Sequence, residues 1–253
     1  MLSVAAFVLS ACLALDAPTQ PLVAIVIDDL GHRPQNDQAT VAIPGALTYA
    51  ILPFSPGAHE LARQGRANGR DILLHLPMEA EAHNHLLGPG ALLASMNHAE
   101  FSATVRRALR EVPYLSGVNN HMGSMLTRDR ERMDWLMAEI RAAGLMMFLD
   151  SRTTPHSVAM AAARNAALAY ATRDVFLDHE QNAAYISQQF DHLIAHAAEH
   201  GDAIGIAHPH TVTIRTLRRR LSTLKGTRLV ALTELLRERE CRARQPLALT
   251  PVP

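Results

Sequence analysis

Short apolar runs alternate with helix-period stretches along most of this chain. Val23 to Ile27 is a compact β-branched run that ends on two carboxylates, the pattern of a strand buried on both faces. Leu47 to Leu52, Asp71 to Leu76, Leu115 to Val118, Leu145 to Leu149, Val175 to Leu177, Ala203 to Ala207 and Leu229 to Leu232 read as further strands. Between them lie helical patterns. Ala58 to Asn68 closes on Gly69, and Ala99 to Glu111 carries Phe101, Val105 and Leu109 on one face. The next helix, capped by Thr127, runs to about Ala143 before Gly144, with Met133, Leu136, Met137 and Ile140 as its buried stripe. An alanine-rich helix opening at Pro155, a helix over 183–200 ending at Gly201, and one over Val212 to Leu224 complete the series.

Strand and helix thus alternate about seven times without an internal repeat or a long linker. That implies a parallel sheet with helices outside it, doubly wound or closed into a barrel. Polar residues gather where strands end: Asp28 and Asp29, His75, Asn119 to His121, Asp150 and His208. In parallel α/β folds ligands bind at the C-terminal edge of the sheet, so these residues point to one site.

Outside this pattern, Met1 to Leu15 is apolar, uncharged and too short for a comfortable membrane span, which needs about twenty residues. Residues 1–17 are therefore expected to be an export signal, leaving no integral span in the mature chain. Leu9-Ser10-Ala11-Cys12 also matches a lipobox, and plain cleavage and lipidation at Cys12 stay open. The mature protein is expected in the bacterial envelope, periplasmic or lipid-anchored, with one domain over 21–238 and a tail over 239–253. Formal charge balances at 24 basic against 24 acidic residues, so no basic field exists to gather phosphates, and a nucleic-acid partner is not expected. Cys12 and Cys241 belong to no zinc-thiolate spacing.

Each candidate residue also has a bland reading. Strand alternation would send Asp28 and Asp29 to opposite faces, one free to ligate a cation and the other to move a proton, yet either could cap a turn. His75 ends a buried run and suits a ligand. Glu79, four residues on, could ligate, orient His75 or sit in solvent. Asn120, Gly123 and Ser124 sit with His121 between a strand and a helix, where Gly123 permits close backbone approach and Ser124 offers a hydroxyl. No Gly-x-Ser-x-Gly elbow supports Ser124 as a nucleophile. His208 follows a strand and could protonate a leaving group, whereas His210 fits a polar loop. His192, His196 and His200 recur every four residues on one helix, as on an ordinary polar face, and His83 and His85 lie in a loop with no evident role.

In order, the pieces VAIVIDDLG, LTYAILPFSP, DILLHLPME, GVNNHMGS, FLDSRT, RDVFLD and AIGIAHPH, from Val23 to about Leu235, resemble the divergent polysaccharide deacetylase family. That family is a relative of the NodB-homology carbohydrate esterases. The resemblance implies a distorted (β/α) barrel of about seven strands, of the glycoside hydrolase-deacetylase type, with a divalent metal, usually zinc, at the strand ends. It implies Asp28 as catalytic base, Asp29 and His75 as metal ligands and His208 as general acid. Glu79 stands where the family has a second histidine, so the third ligand is Glu79 or His121, and His121 is preferred as a neutral ligand for zinc. Asn120, Ser124 and Asp150 are candidate supports. The arginine-bearing and Asp-Trp motifs that normally tune base and acid are not visible. The implied activity is metal-assisted hydrolysis of N-acetyl or O-acetyl groups on a peptidoglycan-like or other acetylated polysaccharide. The alternatives are an inactive glycan-binding barrel and a metallohydrolase of another bond, such as a phosphoester.

Overall fold

The computed structural model describes residues 20–145 and 147–244. The expected export signal, with Cys12, therefore lies outside the described residues. Nine strands are present among them: β1 (Leu22–Leu30), β2 (Thr48–Ile51), β3 (Asp71–Met78), β4 (Gly117–Met122), β5 (Met147–Asp150), β6 (Ala169–Thr172), β7 (Val175–Phe176), β8 (Asp202–Ala207) and β9 (Arg228–Leu229). The helices are α1 (Pro34–Val41), α2 (Ala58–Ala67), α3 (His98–Glu111), α4 (Arg130–Ala142), α5 (Ala159–Asn165), α6 (Ala183–His200), α7 (Thr211–Ser222) and α8 (Leu232–Arg244). No helix among the described residues is long and apolar enough to cross a membrane.

Every ladder is parallel, in the order β6-β5-β4-β3-β2-β1-β8-β7, with β9 beside β1. The two end strands, β6 and β7, are joined by only Arg173 and Asp174. The Arg173 N–H donates to the Asp150 carbonyl at 3.1 Å and the Asp174 N–H to that of Ile204 at 2.9 Å. The chain itself thus stitches the curled sheet shut, giving the distorted (β/α) barrel expected from the sequence.

Alternation along the strands sorts the core into two layers. Leu22, Ala24 and Val26 of β1, Leu73 of β3, Leu149 of β5 and Ile204 and Ile206 of β8 form the inner cluster, while Val23, Ile25, Ile27, Ile72 and Leu74 pack under the helices. Burying each large aliphatic contributes roughly 1.5–3 kcal/mol, which is why β1 tolerates no polar residue before Asp28. Leu232 and Leu235 of α8 join the inner cluster. The Thr233 N–H donates to Asp71, the first residue of β3, and Arg239 and Arg242 pair with Asp202, the first of β8. Helix α8 therefore stops the N-terminal end of the barrel, and the other end carries the polar residues.

Several boundaries differ from expectation. β4 runs through Met122, so Asn119, Asn120 and His121 lie within a strand. Pro77 lies within β3 because β2 ends opposite Leu74, so on that side β3 meets only Leu92, whose N–H donates to the Pro77 carbonyl at 2.9 Å and needs no N–H from the proline. The α4 cap is Asp129, whose carboxylate accepts from the Arg132 N–H at 3.1 Å, while the Thr127 hydroxyl donates to the Gly123 carbonyl. α5 begins at Ala159 rather than Pro155, and Leu232 starts α8 instead of ending a strand. The boundary drawn at 238 consequently falls inside that helix. The short α1 and β6 carry no strong sequence period and were not expected.

Candidate metal centre and active site

The open end of the barrel is the last turn of the inward-facing positions. Asp28 extends the Leu22, Ala24, Val26 series, His75 follows Leu73, and Asn119 and His121 share one face of β4. Ser151 follows Leu149, and His208 follows Ile206. Register brings them together: His75 lies opposite Asn119, and Ile27 opposite Ala207, so Asp28 and His208 leave neighbouring strands side by side.

Asp29 should point outward by the same alternation. Instead the β1–β2 register slips between Ile27 and Leu30, and Asp29 takes a left-handed backbone at φ 57°. This bulge costs about 1–3 kcal/mol and swings Asp29 inward beside its neighbour. Its Oδ1 then lies 3.2 Å from His75 Nε2, and Asp28 Oδ2 lies 3.7 Å from the same nitrogen. The expectation that the two carboxylates face opposite ways is thus corrected by the bulge. Gly31 makes the tight exit possible: at φ 120° it sits where a Cβ would come within 1.9 Å of Ser55 Oγ.

His121 Nδ1 completes a triangle, 3.0 Å from Asp29 Oδ1 and 3.2 Å from His75 Nε2. Ligands held by one zinc ion at bonds of about 2.0–2.1 Å stand roughly 3.3 Å apart, close to these separations. Asp29 Oδ1 is buried and makes no well-angled hydrogen bond despite its two imidazole neighbours. His121 Nδ1 and His75 Nε2 also stand in hydrogen-bond geometry to each other, but all three ligand atoms lie within 4.8 Å of one another around the unpartnered Asp29 oxygen, and so these residues fit a divalent metal. Burial pushes the Asp29 carboxyl up, but His121 and His75 beside it hold it well below the usual carboxylate range.

Asn119 fixes the tautomer of His75. Its Nδ2 donates to Asp28 Oδ1 at 2.9 Å, with Ser151 Oγ 3.3 Å away, so its Oδ1 is left to accept from His75 Nδ1 at 3.0 Å. His75 is thereby a donor at Nδ1 and presents Nε2 to the triangle. Asp28 itself is buried, and burial raises its proton affinity over the opposing pull of His75 and His208.

His208 is held differently. Its Nδ1–H donates to Asp178 Oδ1 at 3.0 Å, while Asp178 Oδ2 accepts from the His208 N–H at 2.7 Å and the Thr213 hydroxyl at 2.9 Å. Burial alone would lower the imidazole, but Asp178, with Asp29 and Asp28 behind it, raises it to about 9. Nε2 is left 4.0 Å from Asp29 Oδ2, and Phe176 stands edge-on to the ring.

These residues border a cleft of about 390 Å³ that includes Asp28, His75, His121 and His208 together with Asn120, Arg152, Arg173, Phe176 and Ile206. The Arg173 Nε donates to the Ser151 carbonyl at 2.8 Å, and its guanidinium lies over Phe176. Burial disfavours its charge, and Asp28 favours it.

Of the expected supports, Asn120 lines the cleft, donating to the Met122 carbonyl and accepting from the Ser151 N–H. The structure does not bring in Ser124 or Asp150, nor Glu79, also expected as a possible support. Glu79 accepts from the Ala94 N–H, which anchors the loop after β3. Ser124 Oγ accepts from the Glu81 N–H and does not line the cleft. Asp150 faces outward by alternation and accepts from the Arg152 N–H and the Tyr170 hydroxyl. Sequence reasoning assigned no role to Asn119, Arg173 or Asp178. A longer β4 would have put Asn119 on the face of His121, and the segment RDVFLD holds both of the others.

A model of the divergent polysaccharide deacetylase family matches residues 25–236. The chain belongs to this family. It is 39% identical over 231 residues to the uncharacterized protein YibQ of Escherichia coli K12, covering 90% of this chain and 72% of that protein. Among solved structures, the uncharacterized protein ATU2773 from Agrobacterium tumefaciens superposes with a TM-score of 0.81 at 24% identity, over 88% and 92% of the two chains. A mutant of BA3943 from Bacillus anthracis, a CE4 family pseudoenzyme with restored enzymatic activity, gives 0.53 at 14% identity over 87% and 69%. Both structural likenesses show the fold. Arg173 lines the same cleft as Asp28, and Asp178 accepts from His208 Nδ1–H.

Proposed function

We propose that this chain is a metal-dependent deacetylase hydrolysing N-acetyl, or O-acetyl, groups on a glycan of the bacterial envelope, to which it is exported. The observation that carries this reading is the meeting of Asp29, His75 and His121 donor atoms around the orphaned Asp29 oxygen, next to a separate base and acid. Two imidazoles and a carboxylate suit zinc among divalent ions. Such an ion, when bound, supplies the Lewis acidity that polarises an acetyl carbonyl and acidifies water.

The remaining work falls to the chain's own residues. Asp28, buried and oriented by Asn119, takes the proton of the attacking water. Oxygen adds to the acetyl carbon, the C–N bond breaks, and the departing nitrogen takes a proton from His208 Nε2. Acetate and a free amine result. Asp178 keeps His208 protonated at neutral pH and aims Nε2 at the cleft. Phe176 and Ile206 form an apolar wall that limits water at the reacting centre.

The test is metal analysis with acetate release from N-acetylglucosamine oligomers and from O-acetylated glycans. The expected result is one divalent ion per chain and acetate release abolished in Asp28→Asn with the ion retained. Protein that binds no divalent ion would overturn the metal centre. Metal-bound protein releasing no acetate from any acetylated glycan would overturn the catalytic reading and favour a glycan-binding barrel.

A further inference from the structure

The metal triangle lies between two clefts. The first, described above, runs from Asp28 toward Arg152 and Arg173. The second, of about 490 Å³, starts at Asp29 and runs past His32 and Arg33 beneath His83 and Leu86. His121 and Met122 line both, so a ligand with its acetyl group at the triangle can extend in either direction.

Each cleft has its own exposed arginine. Arg152 is held at φ 53°, a conformation that non-glycine residues rarely adopt. Its N–H donates to Asp150 Oδ1 at 2.7 Å and its carbonyl accepts from Arg173 at 3.1 Å, so the barrel seam maintains this strained backbone at the cleft wall. Among the described residues no carboxylate lies within ion-pair distance of its guanidinium. Arg33, across the site, donates its backbone N–H to Asp37 Oδ2 at 3.0 Å, while its guanidinium has His210 Nδ1 at 3.4 Å and, among the described residues, no carboxylate within ion-pair distance. Lack of an acidic partner does not by itself set these two apart: on the outer helices Arg63, Arg106, Arg130 and Arg220 each hold one, whereas among the described residues Arg66, Arg110 and Arg215 do not.

An exposed arginine can simply be solvated, so the charge balance of the clefts decides. Three arginines line them against two carboxylates, Asp28 and Asp29, both committed to the reaction centre. The whole chain, in contrast, is neutral. A divalent ion would add further positive charge, and concave low-dielectric walls focus such a field on an incoming ligand.

We propose that the substrate is an acetylated glycan bearing its own anionic groups, carboxylate or phosphate, which Arg33 and Arg152 bind on either side of the acetylated sugar. The deacetylase reading supplies the acetyl group in this statement; the preference for charge rests on the clefts alone.

Binding and turnover separate the two. Dissociation constants are measured on the metal-bound protein for three N-acetylated oligosaccharides of equal length: neutral, carboxylate-bearing and phosphate-bearing. Acetate release is followed in parallel. At least one anionic probe should bind about tenfold or more tighter than the neutral one, by charge-assisted pairing to arginine, with the preference falling as salt rises. The two anionic arms identify which group is read. In the Arg33→Gln/Arg152→Gln double variant the preference should collapse to near unity. Equal binding of all three probes, no binding of either anionic probe, or a preference that survives in the folded double variant would each overturn the inference. Acetate release without charge preference removes this inference and leaves the deacetylase reading; charge preference without acetate release does the reverse.

Discussion

His75 and His208 occupy the same layer of the barrel mouth, and each is surrounded by carboxylates. Their supports differ. His75 turns Nδ1 to the neutral amide of Asn119 and meets Asp28 and Asp29 with Nε2. His208 turns Nδ1 to the carboxylate of Asp178 and leaves Nε2 to the cleft. For both, burial disfavours the imidazolium and the carboxylates prevail, so both bind protons more tightly than a free imidazole. At His75, though, that proton would occupy the nitrogen offered to the triangle. At His208 a firmly held Nδ1 proton leaves the Nε2 proton to be given away. In the proposed function, the same side chain would serve as a ligand or an acid according to which nitrogen meets the anion.

Substituting each histidine should separate these roles most strongly. His75→Ala should lose the bound divalent ion and all acetate release, both read on the purified protein. His208→Ala should keep the ion while the rate falls roughly 10²–10⁴-fold, as for loss of a general acid. If His208→Ala also lost the ion, the two histidines would be serving one cation and the distinction would fail.

The supports come next. Asn119→Ala frees both His75 Nδ1 and Asp28 Oδ1 and should weaken metal affinity about 10–100-fold in competition with a chelator. Asp178→Asn should spare the metal and move the pH profile. His208 acts only when protonated, so activity is present below its pKa and lost as pH rises through it. The wild-type limb is expected near 9, and removing the Asp178 charge should move it down toward the ordinary 6.5. For a complete return, the variant would run about 30-fold below wild type at pH 8 and nearly level with it at pH 5.5. An unmoved limb would show that Asp178 only positions the ring.

The barrel and its polar edge were legible in the sequence because buried parallel strands are written as apolar runs and their ends as abrupt changes to polar residues. Asp28, Asp29, His75, His121 and His208 all stand at such changes. What could not be read was geometry carried by the backbone. The bulge at Asp29 overrides strand alternation, and no side-chain pattern announces it. The polar run Asn119 to His121 looked like a loop because a strand facing a charged site lacks apolar alternation. Arg173 and Asp178 take their positions from the two-residue seam between β6 and β7, a tertiary closure with no local signature. The short α1 and β6 lack the period that identifies longer elements.

Glu79 offers the smallest and most discriminating effect, because its four-residue spacing from His75 made it the rival to His121 as third ligand. In the structure its carboxylate accepts from the Ala94 N–H, and its own N–H donates to the Leu92 carbonyl at 2.9 Å. It pins the loop that roofs the second cleft. Glu79→Ala should therefore leave metal content unchanged while costing about 1–2 kcal/mol for the unpaired N–H. At this chain length, that corresponds to a fall of roughly 2–8 °C in Tm. Glu79→Gln keeps an acceptor oxygen and should recover most of that loss. Metal analysis beside thermal melting decides the matter: metal lost from Glu79→Gln with the fold intact would return Glu79 to the ligand set and displace His121 from it.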